Sequence, residues 1–458
     1  MAIATVNPAT GEVEREFDVH TEAEVDAKIG EAHSAHRALT STTFAQRAEW
    51  MRAAAAALEA DLEPAAAMLT TEMGKTITQA RAEVRKSANA MRFYADKAEE
   101  FLTGRSLENP AAVNASSAYT LFEPIGVVLA VMPWNYPIWQ VIRFAAPALM
   151  AGNAGLLKHA SNVPQAALYL DTLFERGGFP AGSFRSLLIP AARVEAVLRD
   201  PRVVAATLTG SEPAGRSLAS IAGSEVKHVV LELGGSDPFI VMPSADLDRA
   251  VETAVSSRTA NNGQACINAK RFIVHGDIYD TFVERFTARM AALRVGDPFD
   301  DATEVGPVAT ASGRDELAEL VADAVKMGAV VTTGGEQPDG PGWFYPPTVL
   351  TGITPEMRLY AEEAFGPVAA VYRAADAADA LRIANDTTFG LSSAVWTQDP
   401  DDEAFLVGGL NVGAVFVNGM SISYPELPFG GTKDSGVGRE LSAEGIREFT
   451  NLKTVWRG

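Results

Sequence analysis

Cysteine is almost absent from this chain: one residue, Cys266, is found in 458. A lone thiol cannot form an intramolecular disulfide, so any chemistry kept at this position is thiolate chemistry. The alternative is a buried structural cysteine, because free cysteine is among the most frequently buried residue types. The stretch Asn261–Cys266 reads as a turn that would deliver the thiol to a rigid, approachable corner.

Basic residues and long hydrophobic runs are also scarce. The chain has 38 Lys and Arg against 58 Asp and Glu, a net charge of −20, which argues against nucleic-acid or anionic-membrane partners. The longest apolar run, Ile125 to Trp134, is too short to span a bilayer. The first residues have neither a basic start nor an apolar core, so we expect no signal peptide. With a single cysteine, this pattern predicts a cytoplasmic protein.

The residues that are present predict a large, soluble α/β protein. Residues 21–104 have helical spacing and predict several packed helices, interrupted near Pro64 and Gly74. Residues 105–124 alternate and predict an exposed hairpin. From Ile125 onward, short apolar strands alternate with helices, which predicts parallel sheets covered on both faces. We therefore expect two parallel-sheet α/β domains.

Polar side chains follow four of the predicted strands. They are Asn135, Lys158, Ser211 and Glu232. Parallel sheets bind ligands at the carboxyl ends of their strands. The sequence therefore predicts a ligand site at that edge of the first sheet.

Six short motifs occur in order along the chain. They are Pro-Trp-Asn-Tyr-Pro (133–137), Lys-His-Ala-Ser (158–161), Thr-Gly-Ser (209–211), Glu-Leu-Gly-Gly (232–235), Gly-Gln-Ala-Cys (263–266) and Glu-Ala-Phe-Gly-Pro (363–367). Together they resemble the NAD(P)-dependent aldehyde dehydrogenase superfamily, and most of all its bacterial NADP-dependent succinate-semialdehyde dehydrogenases. The likeness runs from end to end.

The resemblance implies a division of the chain and an assembly. It implies a Rossmann-like cofactor-binding domain over 1–231, with residues 105–124 as an oligomerisation hairpin. A catalytic domain would cover 232–424. Residues 425–458 would return to the cofactor domain and supply an oligomerisation strand. The expected assembly is a homodimer or homotetramer.

The resemblance also implies a reaction. Cys266 would attack the aldehyde carbonyl, and the side-chain amide of Asn135 with the backbone N–H of Cys266 would bind the resulting oxyanion. After hydride transfer to a nicotinamide, Glu232 would activate the water that cleaves the thioester, which gives a free acid. The alternatives are a structural role for Asn135 and a strand-end ion pair for Glu232.

The implied cofactor is NADP, with NAD possible. NAD-preferring relatives commonly carry Glu where this chain has Ser161, and a small hydroxyl beside Lys158 favours a 2′-phosphate. Ser211 also suits a helix N-cap, a role compatible with phosphate binding. The cofactor-binding residues implied by the resemblance are Trp134, Asn135, Lys158, His159, Ala160, Ser161, Gly210, Ser211, Leu233, Glu363 and Phe365.

The expected substrate is a small aldehyde, and the best candidate is succinate semialdehyde. Arg143 matches an arginine that such dehydrogenases use for the distal carboxylate; the alternative is a helix-surface ion pair. Their second arginine is Ala260 here, and the nearest one is Arg258. A hydroxyl partner is expected at Ser421 or Ser423, of which we choose Ser423.

Other functions stay open at this point. The substrate could instead be glutarate semialdehyde or an uncharged aliphatic aldehyde, or the chain could be a catalytically silent homologue. We expect no metal site. The intact set of Asn135, Glu232 and Cys266 favours an enzyme.

Overall fold

The computed structural model describes residues 3–458. Its N-terminal region contains a β-hairpin, four helices and one further strand. These elements are β1 (Ile3–Val6), β2 (Val13–Phe17), α1 (Glu22–Leu39), α2 (Phe44–Ala60), α3 (Leu62–Met73), α4 (Ile77–Phe101) and β3 (Ser117–Pro124).

The helix boundaries follow local capping chemistry. Thr21 caps α1 in a complete capping box, and Gly74 ends α3 in the left-handed conformation. The break between α2 and α3 lies at Asp61 rather than at Pro64 as expected. Pro64 falls in the first turn of α3, where its missing N–H needs no partner.

The first sheet has five parallel strands, and a short sixth strand joins it from the C-terminal segment. Its consecutive elements are β4 (Val127–Met132), α5 (Trp139–Ala151), β5 (Ala154–His159), α6 (Pro164–Arg176), β6 (Phe184–Ser186), α7 (Val194–Arg199), β7 (Val203–Thr209), α8 (Glu212–Ser224) and β8 (His228–Glu232). These strands pair in parallel in the order β8-β7-β4-β5-β6. All four strands that precede the predicted polar residues are therefore neighbours.

The second sheet has seven strands and lies later in the chain. Its elements are β9 (Asp237–Val241), α9 (Leu247–Thr259), β10 (Ala269–His275), α10 (Tyr279–Ala291), α11 (Ala311–Lys326), β11 (Val330–Thr333), β12 (Thr348–Thr351), α12 (Arg358–Ala361), β13 (Val368–Ala374), α13 (Ala377–Asn385), β14 (Ser392–Trp396), α14 (Pro400–Gly409) and β15 (Ala414–Val417). The strand order is β11-β12-β13-β10-β9-β14-β15, parallel except between β11 and β12.

The C-terminal segment returns to earlier parts of the fold. Its elements are β16 (Gly436–Val437), α15 (Ser442–Glu448) and β17 (Thr450–Arg457). Strand β16 pairs antiparallel with the end of β8, so Gly436 lies opposite Glu232. Strand β17 pairs antiparallel with the whole of β3.

The region 105–124 contains the expected hairpin in short form. The backbone N–H of Thr120 donates to the Arg105 carbonyl at 2.9 Å, and that of Leu107 donates to the Ala118 carbonyl at 2.8 Å. On β17, Leu452 and Trp456 are exposed. No helix within residues 3–458 is both long and apolar enough to cross a membrane.

The predicted fold class is confirmed. Two largely parallel sheets with helical connections, plus a small antiparallel sheet, form an α/β protein. The first sheet ends at Glu232 and the second begins at Asp237. This gap lies beside the expected boundary between residues 231 and 232.

Candidate active site

Cys266 follows an unusual turn at residues 260–263. Asn261, Asn262 and Gly263 are consecutive residues with positive φ, at 57°, 55° and 76°. Asparagine tolerates this region better than most residues. At Gly263 a side chain is impossible, because a Cβ would lie 2.3 Å from the Gly366 carbonyl carbon. The cysteine motif therefore packs directly on the Glu-Ala-Phe-Gly-Pro motif.

Two side chains hold the backbone around the thiol. Lys270 Nζ donates to the carbonyls of Ala265 and Cys266, at 2.9 and 2.6 Å, and forms an ion pair with Glu363 at 2.7 Å. Asn268 Oδ1 accepts from the Ala265 N–H at 2.6 Å. The loop is therefore fixed before any ligand arrives.

Asn135 lies against this loop. It follows β4, and its Nδ2 donates to the Gln264 carbonyl at 3.0 Å. Its own carbonyl accepts from Asn261 Nδ2 at 2.8 Å. The side-chain amide of the predicted oxyanion donor is thus bonded to Gln264, two positions before Cys266, and one amide hydrogen is still available.

Cys266 borders a pocket of about 240 Å³. The pocket combines aromatic, cationic and hydroxyl side chains, and its lining includes both predicted substrate-binding residues, Arg143 and Ser423. Ala260 also lines the pocket, whereas Arg258 is buried elsewhere and donates to the Gly263 carbonyl. The Cys266 residue keeps part of its surface exposed, so the thiol is accessible from the pocket even though its sulfur is largely removed from water.

Arg143 is a buried residue rather than a surface one. Its guanidinium pairs with Glu440 and lies over the Phe429 ring, 4.6 Å from the ring centroid. Its Nη2 donates to Thr209 Oγ1 at 3.4 Å. The positive charge expected to meet a substrate carboxylate is therefore already matched by a carboxylate of the protein.

Glu232 ends β8 and is almost completely buried. Burial, reinforced by the charge of Glu440, raises the pKa of Glu232, and Arg143 opposes the shift. Neither carboxyl oxygen has a hydrogen-bond partner among the described residues. One of them lies against Gly430, where a Cβ would approach it to 2.8 Å. In this arrangement the carboxyl packs beside the pocket rather than lining it.

The pKa of the Cys266 thiol is shifted in the same direction. Burial raises it to about 12, although Arg143 and Lys270 both lower it. Arg143 therefore opposes the rise in pKa at both Cys266 and Glu232.

Several predicted cofactor-binding residues come together at the edge of the first sheet. Trp134 packs edge-to-face on Phe365, with ring centroids 5.6 Å apart. The Gly210 N–H donates to the Glu232 carbonyl at 3.0 Å, and the Leu233 N–H donates to the Ser435 carbonyl at 2.9 Å.

Two polar groups at this edge are not used by the protein itself. The Ser211 hydroxyl makes no cap hydrogen bond with α8, although Ser211 occupies the N-cap position. Lys158 is buried, and its ammonium makes no ion pair within residues 3–458. Both groups could therefore serve an anionic ligand.

The His159 ring is bonded within the protein. Its Nδ1 accepts from the Ala160 N–H at 3.0 Å, and its Nε2 lies 2.9 Å from the Pro137 carbonyl. Burial lowers the pKa of His159 to about 4, so the ring is neutral. Its contribution to cofactor binding stays a prediction. Ser161 is half-buried, and its carbonyl accepts from the Ala4 N–H at 3.1 Å.

Comparison with known proteins decides the family. Residues 1–455 match the aldehyde dehydrogenase family. The chain belongs to the aldehyde dehydrogenase family. It is 61% identical over 456 residues to succinate-semialdehyde dehydrogenase [NADP(+)] 1 of Mycobacterium tuberculosis strain H37Rv, covering 100% of both chains. It is 61% identical over 459 residues to succinate-semialdehyde dehydrogenase [NADP(+)] of Mycobacterium avium, covering 100% of this chain and 97% of the relative.

A solved structure agrees with these relatives. The succinic semialdehyde dehydrogenase of Streptococcus pyogenes, determined with NADP+, superposes with a TM-score of 0.96 at 36% identity and covers 99% of each chain. The predicted family resemblance is thereby confirmed.

Three residues of this aldehyde dehydrogenase's site were missed from the sequence. Lys86 lies on α4 and lines the Cys266 pocket, Glu440 pairs with Arg143, and Lys270 holds the cysteine loop. Glu440 ends the Gly-rich stretch 428–440, and that stretch was the one available signal. Nothing in the pattern of α4 singles out Lys86.

Proposed function

We propose that this aldehyde dehydrogenase oxidises succinate semialdehyde to succinate with NADP. The observation that carries the proposal is the pocket itself: the only thiol of the chain borders a small cavity with cationic and hydroxyl side chains. Such a lining suits a short aldehyde with an anionic end. The names of the mycobacterial and streptococcal relatives support the same substrate and cofactor.

Each protein group has a role in this reaction. The Cys266 thiol gives up its proton to solvent as its sulfur bonds to the aldehyde carbon, and the Asn135 amide and the Cys266 N–H stabilise the oxyanion of the thiohemiacetal. A bound nicotinamide cofactor would accept the hydride. Water then attacks the resulting thioester while Glu232 takes a proton from it; the carbon–sulfur bond breaks, and the acid leaves with Cys266 restored. Because burial raises its pKa, the Glu232 carboxylate is a stronger base than an exposed one.

The residues at the strand ends fit NADP. The unpaired Lys158 ammonium and the Ser161 hydroxyl would serve the ribose and its 2′-phosphate, and Ser211 at the start of α8 would serve the pyrophosphate. We propose NADP over NAD because Ser161 carries no negative charge. The remaining residues proposed to hold the cofactor are Trp134, Asn135, Ala160, Gly210, Leu233, Glu363 and Phe365.

We also propose that different segments of the chain have different roles. Residues 1–231 bind the cofactor, 232–424 carry the nucleophile, and 425–458 return to the first sheet. A homodimer or homotetramer forms through the small β3–β17 sheet, where Leu452 and Trp456 are exposed. We place the enzyme in the cytoplasm.

Steady-state kinetics test the proposal. Purified enzyme is assayed with succinate semialdehyde, glutarate semialdehyde and butanal, each with NADP and with NAD, by following the absorbance of the reduced cofactor. We expect the highest kcat/KM for succinate semialdehyde with NADP and none for Cys266→Ala. Turnover in that variant would refute the covalent mechanism. A higher kcat/KM for butanal would refute succinate semialdehyde as the preferred substrate.

A further inference from the structure

We propose that Lys86, with Ser423, binds the carboxylate of the semialdehyde substrate. This inference rests on the proposed function and deepens it. It assigns the main anionic contact to a lysine on α4, whereas the sequence pointed to Arg143.

The first observation is the position of Lys86. Its side chain reaches the Cys266 pocket and also borders a neighbouring cleft of about 560 Å³. Tyr136, Ala260 and Met420 line both spaces as well. Lys86 thus stands between the pocket and the cleft. A carboxylate held there leaves the other end of a short substrate directed into the pocket that contains the thiol.

The second observation is the hydrogen bonding of Ser423. Its Oγ accepts from Lys86 Nζ at 2.9 Å and from Trp139 Nε1 at 3.1 Å. A hydroxyl oxygen has two lone pairs, so both acceptor positions are filled. The hydroxyl hydrogen is then left to donate, and an anion in the pocket would accept it. Two donors, the ammonium and the hydroxyl, therefore point to one anionic ligand.

The third observation is the charge balance. Arg143 is matched by Glu440. The Lys86 ammonium lies 4.2 Å from the Trp139 ring centroid and makes no ion pair within the described residues. The nearby Glu83 is already committed to Lys75. An unmatched ammonium that is largely removed from water gains strongly from a carboxylate partner.

The surroundings of Lys86 support this reading. Burial and the charges of Arg143 and Lys75 lower the pKa of Lys86 to about 7, while Glu83 and Cys266 raise it. With no carboxylate bound, the Lys86 side chain is therefore about half protonated near neutral pH. A bound carboxylate favours the charged form, so affinity for an acidic aldehyde falls as the pH rises above about 7, and affinity for a neutral aldehyde does not.

Matched substrates and variants test the assignment. KM and kcat are measured for succinate semialdehyde and for butanal, which has the same chain length but no charge. The variants are Lys86→Met, Lys86→Arg and the control Arg85→Met, which removes an exposed charge one residue away on α4. We expect Lys86→Met to raise KM for the semialdehyde about 10- to 100-fold, the range of one charge-assisted hydrogen bond, with a much smaller change for butanal. Lys86→Arg restores most of the preference, and Arg85→Met leaves both KM values unchanged.

Several outcomes would overturn the inference. One is a Lys86→Met enzyme that keeps its preference for the semialdehyde. Another is a Lys86→Met enzyme whose KM rises equally for both aldehydes, together with a Lys86→Arg enzyme that recovers none of the preference. If Lys86→Met does not fold, the wild-type pH profile decides. The KM for succinate semialdehyde divided by the KM for butanal should rise as the pH increases through about 7. A ratio that does not change with pH refutes the inference. A wild-type enzyme without any preference for the semialdehyde instead refutes the proposed function.

Discussion

The buried ion pair between Lys75 and Glu83 should control the position of the Asn135 loop. Both side chains are fully buried. Glu83 Oε1 accepts from the N–H groups of Ile138 and Trp139, at 2.8 and 2.9 Å, where α5 begins. The Lys75 ammonium lies 4.0 Å from the Tyr136 ring centroid. The pair thus joins α4 to the segment between Asn135 and Arg143.

The expected magnitudes follow from this burial. Lys75→Met leaves a buried carboxylate without its cation and should cost about 3–5 kcal/mol of unfolding free energy. Adding Glu83→Gln removes the orphaned charge and keeps an oxygen for the two N–H donors. The free energy of unfolding of the double variant should therefore exceed that of Lys75→Met alone by at least about 2 kcal/mol.

Urea denaturation followed by tryptophan fluorescence measures these differences, and kcat/KM with succinate semialdehyde should follow the same order. Lys97→Met is the control, because Lys97 pairs with Glu100 on the exposed face of the same helix. Its cost should be at most about 0.5 kcal/mol. Glu83→Gln is also measured alone. If its loss and that of Lys75→Met simply add in the double variant, the coupling between Lys75 and Glu83 is absent and the reasoning is wrong.

Three further predictions concern the site itself. Asn135→Ala should lower kcat by about 10²- to 10³-fold with little change in KM, and a loss confined to KM would contradict its oxyanion role. Alkylation of Cys266 by iodoacetamide in cofactor-free enzyme should keep accelerating past the ordinary thiol pKa of about 8.5, because burial raises the pKa to about 12; a plateau near pH 8.5 would contradict this. Ser161→Glu should lower kcat/KM for NADP at least about tenfold while that for NAD holds or rises, since like charges repel at short range; an unchanged ratio between the cofactors would place the 2′-phosphate elsewhere.

The edge of the first sheet was predictable from the sequence because parallel strands share a direction. Strands β4, β5, β7 and β8 are adjacent, so the polar residues that follow them had to meet. Strand direction alone does not place Asn135 beside the cysteine motif. That expectation came from the family resemblance. Whether these residues act as expected remains a prediction.

The misses have physical causes. Lys86 reaches the pocket, and Glu440 reaches Arg143, through tertiary packing of a helix and a loop, which hydrophobic periodicity does not encode.

The pairing of β16 with β8 has a consequence for how the enzyme is made. Residues 435–437 supply backbone partners of Glu232 and Leu233, and Ser435 Oγ donates to the Gly234 carbonyl at 2.7 Å. The proposed nucleophile, amide and base are all synthesised before this segment, and until it docks the end of β8 is held from one side only, by β7. A chain truncated before residue 435 would therefore carry every proposed reactive group and still lack one backbone neighbour of the strand end that holds the base.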